Sequence, residues 1–298
     1  MEEIKKDRLL PTSILISAII IAGAWTYDAG KTSIDSARDE ISRSEIEING
    51  IENTFDEKET TLPVKWGDLG KRIIETGVID ASKFEEIYNE RGLLNNKSRK
   101  LLYGATNGDL VMTQENSGFV LNLLWALGLG NKNKILERGP MSDPKYGGAD
   151  GFASTGGWTL SRGDSMTHYN RHSLVVLSAE QQQLVERVSK GIYRPCCNNS
   201  TYFPDCNHGM AMLGLLGLMA SQNVSEEEMY KVALQVNSYW FPDTYLAIAE
   251  YLKSKGKTLG ENDPKEILGT NYSSALGYQR ILSQIKPPEK NSGGSCGV

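Results

Sequence analysis

Between Gly67 and Gly256 the chain alternates apolar runs at helical spacing with short polar breaks, and the breaks carry helix start and stop signals. The segment GDLGKRIIETG ends at Gly77, and Asp80 then stands where ASKFEEIYNERG needs a cap before it stops at Gly92. Thr113 precedes QENSGFVLNLLWAL, in which Phe119, Leu123, Leu124 and Leu127 recur on one helical face before Gly128. Ser178 and Gln181 have capping-box spacing and open a helix through Leu184, Val185 and Val188 to Gly191. Asp205 is placed to cap CNHGMAMLGLLGLMASQ, whose Gly209, Gly214, Gly217 and Ala220 would let neighbouring helices approach closely. That run is too short and too glycine-rich to read as a membrane span, so it is assigned to the core. Ser225 and Glu228 repeat the capping-box spacing ahead of a helix toward Trp240, and Pro242 restarts one that ends by Gly256.

Two stretches break this rhythm. Residues 139–177 are rich in Gly, Pro, Ser and Asp, a length of irregular chain that is uncommon in a compact domain and often functional where it occurs. Tyr146, Phe152, Trp158 and Tyr169 within it argue for order. A second irregular loop, rich in Cys, Pro and Asn, follows Gly191.

The N-terminus reads differently. From Leu9 to Tyr27 no residue is charged, and a run of this length approaches the ~20 residues that a helix needs to cross a bilayer. Lys5, Lys6 and Arg8 precede it and Asp28 follows, so the positive-inside bias keeps the N-terminus cytoplasmic and sends the rest out, with Trp25 and Tyr27 at the outer interface. Ala22-Gly23-Ala24 also has the form of a signal-peptide cleavage site, which would export the same domain without the anchor. The expected organisation is a membrane anchor or signal sequence over residues 1–30, an acidic polar stalk over 31–61, a helical globular domain over 62–285 and a flexible tail over 286–298. The fold class is mainly α: a single N-terminal transmembrane helix, then a helical extracytoplasmic domain with long irregular loops. The lipid bilayer is the expected partner of residues 9–27, and a cell-envelope protein is a second candidate partner.

A net charge of −5 and a pI near 5.4, with no Lys/Arg stripe, speak against nucleic-acid binding. No phosphate-binding loop, dinucleotide fingerprint or nucleophile elbow is present. Asp143, Asp150, Asp164 and Asp205 suit turn and cap duty, and the tripeptide Arg162-Gly163-Asp164 is a weak adhesion signal.

The chemistry is concentrated elsewhere. All three histidines and three of the four cysteines fall between His168 and His208. Cys206 belongs to the start of its helix, where free backbone N–H groups and the helix dipole favour thiolate. His168 and His172 are four apart, the spacing that would put both imidazoles on one face of a helix. Cys196, Cys197, Cys206, His208, His168, His172 and Met210 therefore form the candidate metal-ligand set. Its softness suits copper or zinc as cofactor rather than magnesium or calcium. The spacing matches no standard zinc finger, C-x-x-C pair or haem attachment site. Cys296 sits on a Gly/Ser tether as a mobile thiol.

Three functions follow as expectations. The first is a membrane-anchored extracytoplasmic protein with a Cys/His(/Met) transition-metal site, serving metal handling or a redox step. The second is a thiol–disulfide oxidoreductase using Cys206. The third is a module stapled by a disulfide from Cys206 to Cys196 or Cys197, which binds an envelope partner without catalysis.

Overall fold

The computed structural model describes residues 59–285, so the expected anchor at Leu9–Tyr27 and the expected tail with Cys296 lie outside the described residues. Most of the stalk does too. Its last three residues do not, and Thr60 and Thr61 among them open strand β1 (Thr60–Gly67). In TTLPVKWG the inward positions Thr60, Leu62, Val64 and Trp66 alternate with exposed ones, the period of a strand buried on one face. β1 pairs antiparallel with β2 (Asn107–Met112), and its register slips between Thr61 and Lys65. Pro63 lies in that interval and has no N–H to give the ladder.

Three helices lie between the strands: α1 (Leu69–Thr76), α2 (Ala81–Glu90) and α3 (Asn96–Tyr103). After β2 come α4 (Ser117–Gly130) and the short α5 (Lys134–Arg138). Beyond the irregular segment follow α6 (Ala179–Gly191), α7 (Asn207–Ser221), α8 (Glu226–Trp240) and α9 (Pro242–Ser254). The short α10 (Pro264–Ile267) and α11 (Thr270–Ser273) lead into α12 (Ala275–Leu282). The domain is thus mainly helical, with one two-stranded sheet among the described residues.

Most caps fall where the side chains call for them. The Asp80 side chain accepts the Ser82 and Lys83 N–H groups, and Ser178 and Gln181 form a reciprocal capping box. The Ser225 side chain accepts the Glu228 N–H. Two caps differ from expectation. Thr113 does not open α4: the Asn116 N–H donates to its hydroxyl and its own N–H donates to the Asn116 side chain, a closed turn after which the helix starts at Ser117. That helix also runs past Gly128 to Gly130. Asp205 does not cap α7, which starts from Cys206 with no side-chain cap bond, because its carboxylate is taken by Arg194.

Helices α4 and α7 are the centre of the domain. Every residue of α4 from Phe119 onward is buried, as is α7 from His208 to Ala220. A helix apolar all round is covered on all sides. The two pack against each other through glycines. A Cβ on Gly128 would collide with the Met210 carbonyl, and one on Gly214 would meet the Leu124 carbonyl and come within 2.8 Å of the Gly128 nitrogen. Gly217, from the same small-residue series, faces no neighbour within 4 Å.

The irregular segment is ordered by its aromatics. Its regular pieces are short 3-10 turns at Pro140–Ser142, Pro144–Tyr146, Ala149–Gly151 and Ser165–Thr167. Trp158 packs edge-on against Trp125 of α4 at 4.6 Å between ring centroids. The Trp158 indole donates to the Val78 carbonyl and the Trp125 indole to the Ser154 carbonyl. These rings give a long loop the buried anchors that aromatic side chains supply with a polar edge satisfied. Tyr146 and Phe152 meet Phe203 of the second loop at 5.2 and 5.5 Å, so the two loops pack on each other. Among the described residues no helix is long and apolar enough to cross a membrane.

Candidate metal centre

The second loop folds around one buried cation. Tyr193 bridges to Ser200, the Thr201 N–H donates to the Ile192 carbonyl, and the chain between curls around Arg194, which is 1% exposed. The guanidinium makes four bonds within this loop and its junction with α7. Nη1 donates to the Asn199 carbonyl at 3.0 Å, and Nη2 to the Phe203 carbonyl at 3.0 Å and Asp205 Oδ1 at 2.6 Å. Nε donates to Cys206 Sγ at 2.9 Å. The Asn199 amide holds the other Asp205 oxygen at 2.7 Å. A buried charge is tolerable only when paired and hydrogen-bonded in this way. Gly209 leaves room for it, since a Cβ there would stand 2.5 Å from Arg194 Cζ. The loop is tied down at its far side, where the Ala275 N–H donates to the Cys197 carbonyl and the Leu276 N–H to the Asn198 side chain.

On this frame the thiols and an imidazole converge. Cys196, Cys206 and His208 each bring a ligand atom to within 4.8 Å of the others, and Cys197, Asp205 and Cys206 form a second such group sharing Cys206. Cys196 Sγ lies 3.5 Å from Cys206 Sγ, and all three cysteines are free thiols, so no disulfide staples the loop among the described residues. His208 is 7% exposed, its ring tilted on Phe241 at 4.4 Å and edge-on to Trp240 at 5.7 Å. Its Nδ1 is buried and has no hydrogen-bond partner. A buried polar nitrogen without a partner costs about 1–3 kcal/mol and calls for an explanation, for which an ion is one candidate.

The charge sits on one sulfur. Cys206 is held well below the ordinary thiol range, first by hydrogen bonds from Cys196 and Cys197, then by Arg194 and His208, against the opposing effect of burial. The bond with Cys197, then the bond with Cys206 and burial, push Cys196 up. Cys197 is pushed up to about 11: its bond with Cys196 works the other way, and the bond to Cys206 together with burial outweighs it. Burial opposes the charge on Arg194, but the sulfurs of Cys206 and then Cys197 hold it above its ordinary value. The arrangement favours negative charge on Cys206, which lies between two thiols and a guanidinium.

These donors fit a transition metal. Two sulfurs bound about 2.3 Å from a tetrahedral ion stand about 3.7 Å apart, close to the Cys196–Cys206 separation of 3.5 Å. The set of thiolate, imidazole and carboxylate is soft to borderline, which suits copper or zinc alike and does not choose between them. Cys206 and His208 would hold the ion from the start of α7, while Cys196 would reach it from the exposed loop.

The sequence-predicted set does not assemble whole. Neither metal-ligand group among the described residues includes His168 or His172. Their segment is a turn rather than a helix, yet the rings do meet, with His168 Nδ1 3.1 Å from His172 Nε2. His168 Nε2 bonds the Arg162 carbonyl at 2.9 Å, so His168 is saturated. The turn closes the C-terminus of α4, where the Asn170 N–H donates to the Leu129 carbonyl and the Arg171 and His172 N–H groups to that of Gly130. His208, by contrast, neighbours the first residue of α4 through Trp240, whose indole donates to the Ser117 carbonyl. The two histidine sites are built on different elements, His168 and His172 on the turn at the C-terminus of α4 and His208 in the first turn of α7. Met210 is fully buried one turn into α7, with its backbone against Gly128, and Cys296 lies outside the described residues.

Arg194 and Asp205 are the site residues that sequence reasoning missed. Asp205 read as a helix cap, and Arg194 had only its place beside Pro195-Cys196-Cys197 to mark it. Comparison of the chain with protein-family models, with curated proteins and with solved structures finds no match.

Proposed function

We propose that this chain is a membrane-anchored extracytoplasmic protein that binds one soft transition-metal ion, copper or zinc, through Cys206, His208 and Cys196, with Cys197 as the alternative sulfur ligand. Metal handling or a redox step at the membrane surface is its role in this reading. The carrying observation is the convergence of three ligand atoms within 4.8 Å around a buried imidazole whose Nδ1 lacks a partner. Export and anchoring rest on the uncharged run Leu9–Tyr27 and its basic flank.

In this assignment the protein's own contribution is to hold the donors. Asp205 and Asn199 fix Arg194, Arg194 fixes the Cys206 sulfur, and Phe241 with Trp240 fix the His208 ring. Bonds of this kind, made to the ligands and not to the ion, orient the ligands and tune the ion. A bound ion would supply Lewis acidity or electron transfer. The thiol-oxidoreductase reading has its own support in the 3.5 Å Cys196–Cys206 separation.

Zinc(II) and copper(I) titrations of the reduced full chain, with alkylation of each cysteine followed by peptide mass analysis, test the assignment. One equivalent of metal should protect Cys196 and Cys206 from alkylation together. Labelling of all cysteines unchanged by metal would refute the site.

A further inference from the structure

The Arg194 guanidinium spends three of its four bonds on oxygens that redox chemistry does not touch: the Asn199 and Phe203 carbonyls and the Asp205 carboxylate. The fourth, from Nε, goes to the Cys206 sulfur at 2.9 Å. The same sulfur stands 3.5 Å from the exposed Cys196 thiol, and closing that gap to the ~2.0 Å of an S–S bond needs only a small movement of a surface loop. A reduced cysteine sulfur accepts a hydrogen bond from a guanidinium, as Cys206 does here at 2.9 Å. A disulfide sulfur is neutral and a weak acceptor. Oxidation would therefore leave a side chain that is 1% exposed with one donor unpaired. The guanidinium cannot turn to find another acceptor while three oxygens grip it and Gly209 packs against it.

We propose that Cys196 and Cys206 form a reversible dithiol–disulfide couple, and that Arg194 biases this couple toward the dithiol by bonding the Cys206 sulfur only in its reduced form. With a low-molecular-weight disulfide RSSR as oxidant, the Cys206 thiolate attacks one sulfur, forming Cys206–S–S–R and expelling RS⁻, which takes a proton from solvent. The Cys196 thiol then loses its proton to solvent and attacks the Cys206 sulfur. The protein disulfide forms, and a second RS⁻ leaves and is protonated. Two protein thiols are oxidised, and one external disulfide becomes two thiols. Stabilising the reduced partner makes such a couple oxidising, so its disulfide is easily given away. In a compartment where structural disulfides persist, this would keep the two sulfurs free. Arg194 acts here as a positioning residue, and the couple exists with or without a bound ion.

The test uses the metal-free full chain, equilibrated with chelator across a series of glutathione/glutathione-disulfide ratios, trapped with an alkylating agent and mapped by peptide mass. The wild-type chain should form a Cys196–Cys206 disulfide reversibly and only at oxidising ratios. Arg194→Gln should shift the equilibrium constant toward the disulfide by roughly ten- to a hundredfold, the weight of one hydrogen bond to a charged group. Gly209→Ala keeps the charge but pushes the guanidinium aside, and should shift it the same way by less. It decides the matter if the Arg194 variant does not fold. No Cys196–Cys206 disulfide at any ratio in the wild-type chain, or one equilibrium constant shared by all chains that fold, would overturn the proposal. A chain that binds no metal yet shows the shift would refute the metal assignment alone, and a metal-binding chain without the shift would refute this proposal alone.

Discussion

Helix α4 is closed at its C-terminal end by one cluster of titratable side chains, while a second lies at the start of α7, and the two clusters differ in what their polar atoms lack. At the C-terminal end of α4 His168 and His172 bond each other, and His168 bonds the Arg162 carbonyl, while the turn's N–H groups satisfy the last carbonyls of the helix. At the start of α7 the His208 Nδ1 is buried without a partner, and three free thiols crowd one another around a guanidinium. The first cluster is a cap, closed on itself. The second has ligand capacity to spare. Histidine pairs at i, i+4 and histidines beside cysteines look equally promising in a sequence, and only the hydrogen-bond accounting separates them.

The sharpest way to break this contrast is to remove side chains from each cluster. Cys206→Ser should weaken metal binding by at least about a hundredfold in competition with a chromophoric chelator, more than the loss of a residue that only bonds a ligand. His168→Ala combined with His172→Ala should leave that affinity within about twofold, in keeping with a site they do not touch. Loss of affinity in the double-histidine variant would merge the two clusters into one site.

A smaller effect is expected on stability. Asp205→Ala strands the guanidinium of Arg194, and should lower the unfolding free energy by about 3 kcal/mol in urea denaturation. Asp205 keeps some solvent contact, which places the value at the lower end of the range for broken buried pairs. His168→Ala alone should cost about 1–2 kcal/mol by the same measurement, for two lost hydrogen bonds to a capping turn. An Asp205 variant less affected than the His168 one would mean that Arg194 does not depend on its carboxylate.

The weakest effect is a pH dependence at the capping turn. Burial first, then the neighbouring His168 and Arg171, hold His172 below its ordinary value of 6.5. The unfolded chain therefore binds that proton more readily than the folded one. Its contribution to stability is complete above about pH 6.5 and falls as the pH drops through the lower folded value. Thermal unfolding between pH 7.5 and 5 should show a decline that His172→Gln reduces, whereas a decline unchanged in the variant would assign it to other groups.

Much of the helical frame was legible because its signals are local. Asp80, Ser178 and Ser225 cap the helices they precede, and the glycine spacing of α7 announced the close contact with α4. The β1 strand was legible but unread: Thr60, Leu62, Val64 and Trp66 alternate with polar or proline positions, and the polar composition upstream masked the period. The convergence of Cys196, Cys206 and His208 followed from their crowding in sequence. What the sequence hid was the choice among partners. Asp205 has the residue type and position of a cap, and turns to Arg194 instead because a buried guanidinium is the more demanding neighbour. His168 and His172 belong to a turn that closes on the C-terminus of α4 and not to the thiol loop, which no spacing rule reports.

The central claim, that the cluster at the start of α7 holds a metal ion, is tested most directly by elemental analysis of the full chain purified without chelator or affinity metal, beside His208→Ala. The account predicts roughly one equivalent of copper or zinc in the parent, and its loss in a variant that keeps its helical circular-dichroism spectrum and its free thiols. A parent without stoichiometric metal, or a variant that retains all of it, would contradict the claim.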